Sequence, residues 1–77
     1  MQWTKIASVT TGGKPFFYRA YDSQGNWLAS VIWNRSMRAY AVEVLLILDN
    51  DVRTGRLARF ASTVSQGKRF ARELTGG

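Results

Sequence analysis

Catalysis is the first chemistry to test against this chain, and its residue types speak against it. The 77 residues include no His and no Cys, and the five Asp and Glu are scattered. Ser-His-Asp and Cys-His nucleophile systems, and zinc sites built on His or Cys, therefore lie outside its composition. The groups left to do chemistry are cationic. Eleven Lys and Arg give a formal net charge of +6, with Arg outnumbering Lys eight to three. Arg pairs bidentately with phosphates and carboxylates and stacks on planar rings. Six of the cations, Arg53, Arg56, Arg59, Lys68, Arg69 and Arg72, fall in the last third, where after Asp51 the single acid is Glu73. This pattern points to an anionic partner and to binding in place of catalysis, so we expect no enzyme activity, no cofactor and no metal.

Two short motifs could suggest otherwise. Asp49-Asn50-Asp51 could offer oxygens to a hard cation, but three residues do not make an EF-hand loop, and the segment reads as turn formers ending a strand. Gly12-Gly13-Lys14 lacks the spacing of a P-loop and precedes Pro15 and a strand, not a helix, so it reads as a plain turn.

The elements that must position the cations follow from alternation and turn residues. We read residues 1–77 as a single small α+β domain: an antiparallel meander of four to five strands with one C-terminal helix packed on one face. The strands are expected at about 3–10, 16–22, 26–34, 37–48 and 56–61, and the helix at about 64–74. Ser23-Gln24-Gly25 suits a three-residue hairpin turn closed by a left-handed Gly. That turn sets Tyr21 opposite Trp27, Arg19 opposite Ala29 and Phe17 opposite Val31. Phe16, Tyr18, Ala20, Leu28, Ser30 and Ile32 then form the other, more apolar side, which should cover the core.

A three-residue turn at Arg35-Ser36-Met37 would bring Tyr40, Val42 and Val44 to the core side and Glu43 to the Arg19 side; a two-residue turn would reverse every side chain. Arg56 to Ala61 reads as an Arg-rich edge strand, with a helical turn through Arg53, Arg56 and Arg59 as the alternative. Thr63-Val64-Ser65-Gln66 has the spacing of a capping box. Beyond it Val64, Gly67, Ala71 and Leu74, with Phe70 beside them, make a buried stripe. Gly67 on that stripe implies close approach to the sheet, since Gly costs about 1 kcal/mol against Ala in a helix. Lys68, Arg69 and Arg72 then lie on or beside the solvent side.

The expected functional surface combines Arg19, Tyr21, Trp27 and Trp33 on one sheet face with Arg56, Arg59, Lys68, Arg69 and Arg72 as phosphate contacts. Rings beside cations are how single-stranded nucleic acid is held, by stacking and charge. The same rings could instead cover a second layer or a dimer interface. In outline the chain is similar to whirly-type and coactivator-type single-strand binders, which are built as ββββα units and dimerise. That likeness is architectural and carries no functional residue across.

The reading that follows is a small non-enzymatic binder of single-stranded DNA or RNA. Two others stand beside it: a phage or mobile-element inhibitor that docks on an acidic protein surface, as some anti-CRISPR proteins block an effector complex, and a structural homodimer subunit. The longest apolar run, Val44 to Leu48, is far short of the roughly 20 residues a membrane span needs. Met1 to Thr10 carry no charged segment followed by an apolar one, so with no Cys we expect a cytoplasmic protein without a membrane partner.

Overall fold

The computed structural model describes residues 1–7, 16–47 and 51–76. Within them an antiparallel sheet runs in the order β1-β2-β3-β4-β5 and is followed by a helix. The strands are β1 (Gln2–Ala7), β2 (Phe16–Tyr21), β3 (Trp27–Asn34), β4 (Ala39–Ile47) and β5 (Arg53–Ala61), and α1 spans Val64–Thr75. This is the α+β meander expected from the alternation. Residues 8–10 of the first expected strand, the turn through Gly12-Gly13-Lys14 and Pro15, and Leu48, Asp49 and Asn50 lie outside the described residues. At the far edge β5 begins three residues earlier than expected, so Arg53, Arg56 and Arg59 all belong to a strand and not to a helical turn.

The β2–β3 turn has the expected form. Gly25 is left-handed at φ 82°, the Asp22 N–H donates to the Asn26 carbonyl at 2.9 Å, and Tyr21 lies opposite Trp27. One residue further on, however, the register shifts. Ala20 pairs with Ala29, Arg19 with Ser30 and Tyr18 with Val31, leaving Leu28 as the extra residue of a bulge. The expected pairings of Arg19 with Ala29 and Phe17 with Val31 are thereby corrected, and β3 is turned over. Ala29, Val31 and Trp33 face the helix, where Leu28, Ser30 and Ile32 were expected. The reason is space: the helix approaches so closely that small Ala29 and Val31 fit beneath it, whereas Leu28 and Ile32 would not.

The next loop carries a second one-residue difference. It has four residues, 35–38, because Asn34 pairs with Ala39, and it closes with Arg38 in the left-handed region at φ 50°. The Asn34 Oδ1 accepts from the Met37 N–H at 3.0 Å. The two shifts cancel, so Tyr40, Val42 and Val44 reach the helix side and Glu43 shares a face with Arg19, as expected.

The helix is tied at both ends. Thr63 Oγ1 accepts from the Gln66 N–H at 3.1 Å, while the Gln66 side chain reaches back to the Ser62 N–H at 2.7 Å, one residue before the cap. Left-handed Gly76 ends it, its N–H donating to the Arg72 carbonyl. Between the caps, Gly67 and Ala71 are buried on the sheet. A Cβ on Gly67 would stand 2.8 Å from Val31 Cγ1 and 3.2 Å from Cγ2.

The core around this contact is built of small residues, Ala20, Ala29, Val31, Val42, Ala61 and Ala71, with Trp3, Tyr18, Tyr40, Val44 and Phe70 packed about it. Leu74 does not complete the stripe, since it is 49% exposed.

Gly67→Ala sets a helix-propensity gain of about 1 kcal/mol against an overpacking cost of about 1–3 kcal/mol. Because Val31 is fully buried and cannot yield, we expect net destabilisation in urea unfolding. Adding Val31→Ala should recover part of it, with a coupling of at least about 0.5 kcal/mol in the double-mutant cycle.

A second expectation concerns Asp22. The backbone N–H of Asn26, aided by the Asn26 side chain and the Gln24 N–H, holds its carboxyl below the ordinary 3.8. A depressed folded-state pKa means that this contribution is complete above that value and is lost as pH falls through the lower, folded one. Between about pH 5 and pH 2, urea midpoints should therefore fall less for Asp22→Asn than for the wild type.

Candidate functional site

The cations expected to bind are brought together on the helix-bearing side of the sheet. Arg59 pairs with buried Val42 and Arg56 with Val44, so β5 aims both toward the helix side. Lys68, Arg69 and Arg72 stand on α1 itself, where Arg69 and Arg72 are exposed. The one acid on the helix is Glu73. Among the described residues, none of these five cations has an ion-pair partner.

Their arrangement is set by aromatic rings. The Arg59 guanidinium carbon lies 3.7 Å from the centre of the Phe70 ring, and that of Arg69 lies 6.0 Å from the same ring. On the other flank of the helix, Lys68 Nζ is 4.7 Å from the Tyr18 ring and 5.5 Å from the Trp3 ring. Lys68 is therefore half-buried against rings, beside the solvent side and not fully on it. Further out, Lys5 Nζ lies 4.0 Å over Phe16.

Each contact falls within the range where the ring quadrupole attracts a cation, worth about 0.5–1 kcal/mol at an exposed site. The result is two flanks beside α1, each with cations laid on rings. The Trp3 indole N–H is shielded from solvent and, among the described residues, has no hydrogen-bond acceptor.

The remaining expected site residues divide between the two sides. Arg19, Tyr21 and Trp27 line a depression of about 400 Å³ on the opposite, open side, together with Ser30, Glu43 and Gly55. Trp33 does not join them. The bulge at Leu28 sends it to the helix side, where its ring meets Tyr40 edge-on with centres 5.0 Å apart. The rings expected beside Arg19 and the cations of the helix thus lie on opposite sides of the sheet, and of those rings Trp33 changes side.

The open side has its own fixed point. The Trp27 indole N–H donates to Ser30 Oγ at 2.8 Å, and the far end of the ring lies across the sheet against Gly55, where a Cβ would stand 3.1 Å from Trp27 Cη2. The absence of a side chain at Gly55 seats the indole, and the seated indole helps bury Ser30.

Sequence reasoning missed Trp3, Tyr18 and Phe70 as partners of the cations, because contacts between elements leave no trace in spacing. It also missed Gly55 as the seat of Trp27, although an isolated Gly inside a strand does signal close approach.

No family model matches the chain, and neither a curated protein nor a solved structure matches it. Among the described residues no helix is long and apolar enough to cross a membrane, and no three His, Cys, Asp or Glu cluster as a metal site would require.

The indole seat is open to test by near-UV circular dichroism, with the Trp27 contribution defined by difference from Trp27→Phe. Gly55→Val should displace the ring and Ser30→Ala should release its N–H, each reducing that contribution. Unchanged spectra for both variants would show that the ring is held by something else.

Proposed function

We propose that this chain is a non-enzymatic binder of single-stranded nucleic acid, and that the strand lies along the helix-bearing side, over Arg59, Arg69 and Phe70. The observation that carries the reading is Arg59 on the Phe70 ring. A guanidinium laid on a ring has one flat side covered and the other open to a base, while its edge N–H groups point outward to phosphate. Arg56, Arg69, Arg72 and Lys68 extend the positive surface to either side, and Trp3 and Tyr18 offer rings on the second flank.

A duplex would use the cations alone. Rings interleaved with cations add most to a strand whose bases are unpaired, because every base has a face to stack. The cytoplasm is the place we assign to this binding, in keeping with a chain that has no Cys.

Fluorescence anisotropy with a labelled single strand and the matching duplex, repeated across a salt series, provides the test. Five phosphate contacts on a single strand predict a slope of log K against log salt of about −3 to −4. The pair Arg59→Ala and Arg69→Ala should flatten that slope by about 1.4. Arg59→Lys should keep the slope but weaken binding, since the charge remains and the planar guanidinium is lost. Arg53→Ala, at the open side, should change affinity by less than about twofold. Undetectable or salt-independent binding, or equal losses from Arg53 and Arg59, would refute the reading. A preference for duplex would refute its single-strand part.

A further inference from the structure

The core under the helix is too small to account for the apolar content of this chain. Among the described residues, every buried apolar side chain apart from Val31 and Val42 is an Ala, although 45% of the sequence is hydrophobic. Burying a Val contributes about 1.5–3 kcal/mol and an Ala much less, so covering the helix side alone is a weak basis for a sheet of this size. The open side carries the unused surface. Ile32, Leu45 and half-exposed Leu57 surround the Trp27 seat, and among the described residues no second layer lies above them.

We propose that the open side is covered by a second copy of this chain, giving a two-fold symmetric dimer in which the sheets pack face to face. The choice of occupant comes from the charge pattern and the register. The open side bears Arg19 on β2 and Glu43 on β4, and both are paired with the same residue, Ser30, on the central strand β3. The three residues thus form one row across the sheet, with a cation and an acid equally placed on either side of the middle strand. The flanking residues stand about 10 Å apart, two inter-strand spacings.

A two-fold axis running along β3 over Ser30 exchanges left for right and leaves height unchanged. It therefore sets Arg19 of each copy over Glu43 of the other, twice in one dimer, as an isologous interface requires. The same operation carries Tyr21, which pairs with Trp27 one step along the strands, toward the indole that the other copy extends over its β4 and β5.

The area is sufficient. Strands of six to nine residues across five positions present about 500–700 Å² per copy, or about 1,000–1,400 Å² in all, at the lower end of stable interfaces. Charge favours this side too. With a net charge of +6 two copies repel, and the Arg-rich helix side cannot face itself, but here Arg19 meets Glu43 twice, while Arg53 stands at the margin on the outermost strand. In this arrangement the helix-bearing surfaces point outward from both ends of the pair.

Sedimentation velocity over a concentration series tests the proposal. The wild type should sediment as a dimer of two 8.7 kDa chains, dissociating on dilution. Arg19→Glu and Glu43→Arg should each raise the dimer Kd by about 100-fold, because each puts like charges together at both contacts. Mixing the two variants should restore a heterodimer, since each then presents the charge that the other lacks. Recovery on mixing also excludes misfolding as the cause of the single-variant losses.

A chain that remains monomeric at the highest concentration would overturn the proposal, as would variants that dimerise like the wild type or fail to recover on mixing. If Arg19→Glu left a monomer unchanged but lowered affinity for a single strand, the open side would belong to nucleic acid instead. The dimer does not depend on the nucleic-acid reading, and either can fail without the other.

Discussion

The close approach of α1 to the sheet at Gly67 governs the rest of the structure. With no Cβ there, the helix backbone comes down onto Val31, and only residues of Ala or Val size fit in the layer between them. Large side chains are displaced to the flanks, which is why Trp3, Tyr18, Tyr40 and Phe70 surround the helix in place of lying under it. Rings in that position are half exposed, and half-exposed rings are what cations on the helix and on the edge strand settle upon. The small core and the cation-bearing flanks are two results of one steric fact.

The same constraint explains the bulge at Leu28. A regular ladder from the β2–β3 turn would have placed Leu28 and Ile32 beneath the helix, where the approach leaves no room. The extra residue turns β3 over, brings Ala29 and Val31 under the helix, and sends Ser30 to the open side as the hydrogen-bond partner of Trp27. Trp33 is carried to the helix side by the same step. What divides the aromatic residues between the two sides of the sheet is therefore packing volume and not polarity.

The sheet separates two kinds of chemistry. On the helix side, among the described residues, the cations on β5 and α1 have no ion-pair partner and Glu73 is the one acid of the helix, so their field is available to an anion. On the open side Arg19 is matched by Glu43 across a single central strand, and most of what surrounds them is apolar. An unbalanced positive surface with interleaved rings suits a polyanion; a balanced apolar one suits another protein surface. Keeping them on opposite sides lets a chain of this size offer both without one obstructing the other.

Much of the architecture was legible in the sequence because it rests on local rules. The strand order of a meander, the left-handed Gly25, the cap at Thr63, the placement of Gly67 against the sheet and the edge position of Arg56 and Arg59 all follow from turn residues and periodicity, which act over a few residues. The cationic character of the chain and the grouping of its cations late in the sequence are equally plain there. What only the tertiary structure decided is the side on which each ring lies. Period-two alternation is inverted by a single inserted residue, and whether one is inserted depends on the room beneath a helix about 40 residues away in the chain. The pairing of Arg59 with Phe70, of Lys68 with Tyr18, and of Trp27 with Gly55 was decided at that level too, because each joins elements that meet only once the sheet and helix have packed.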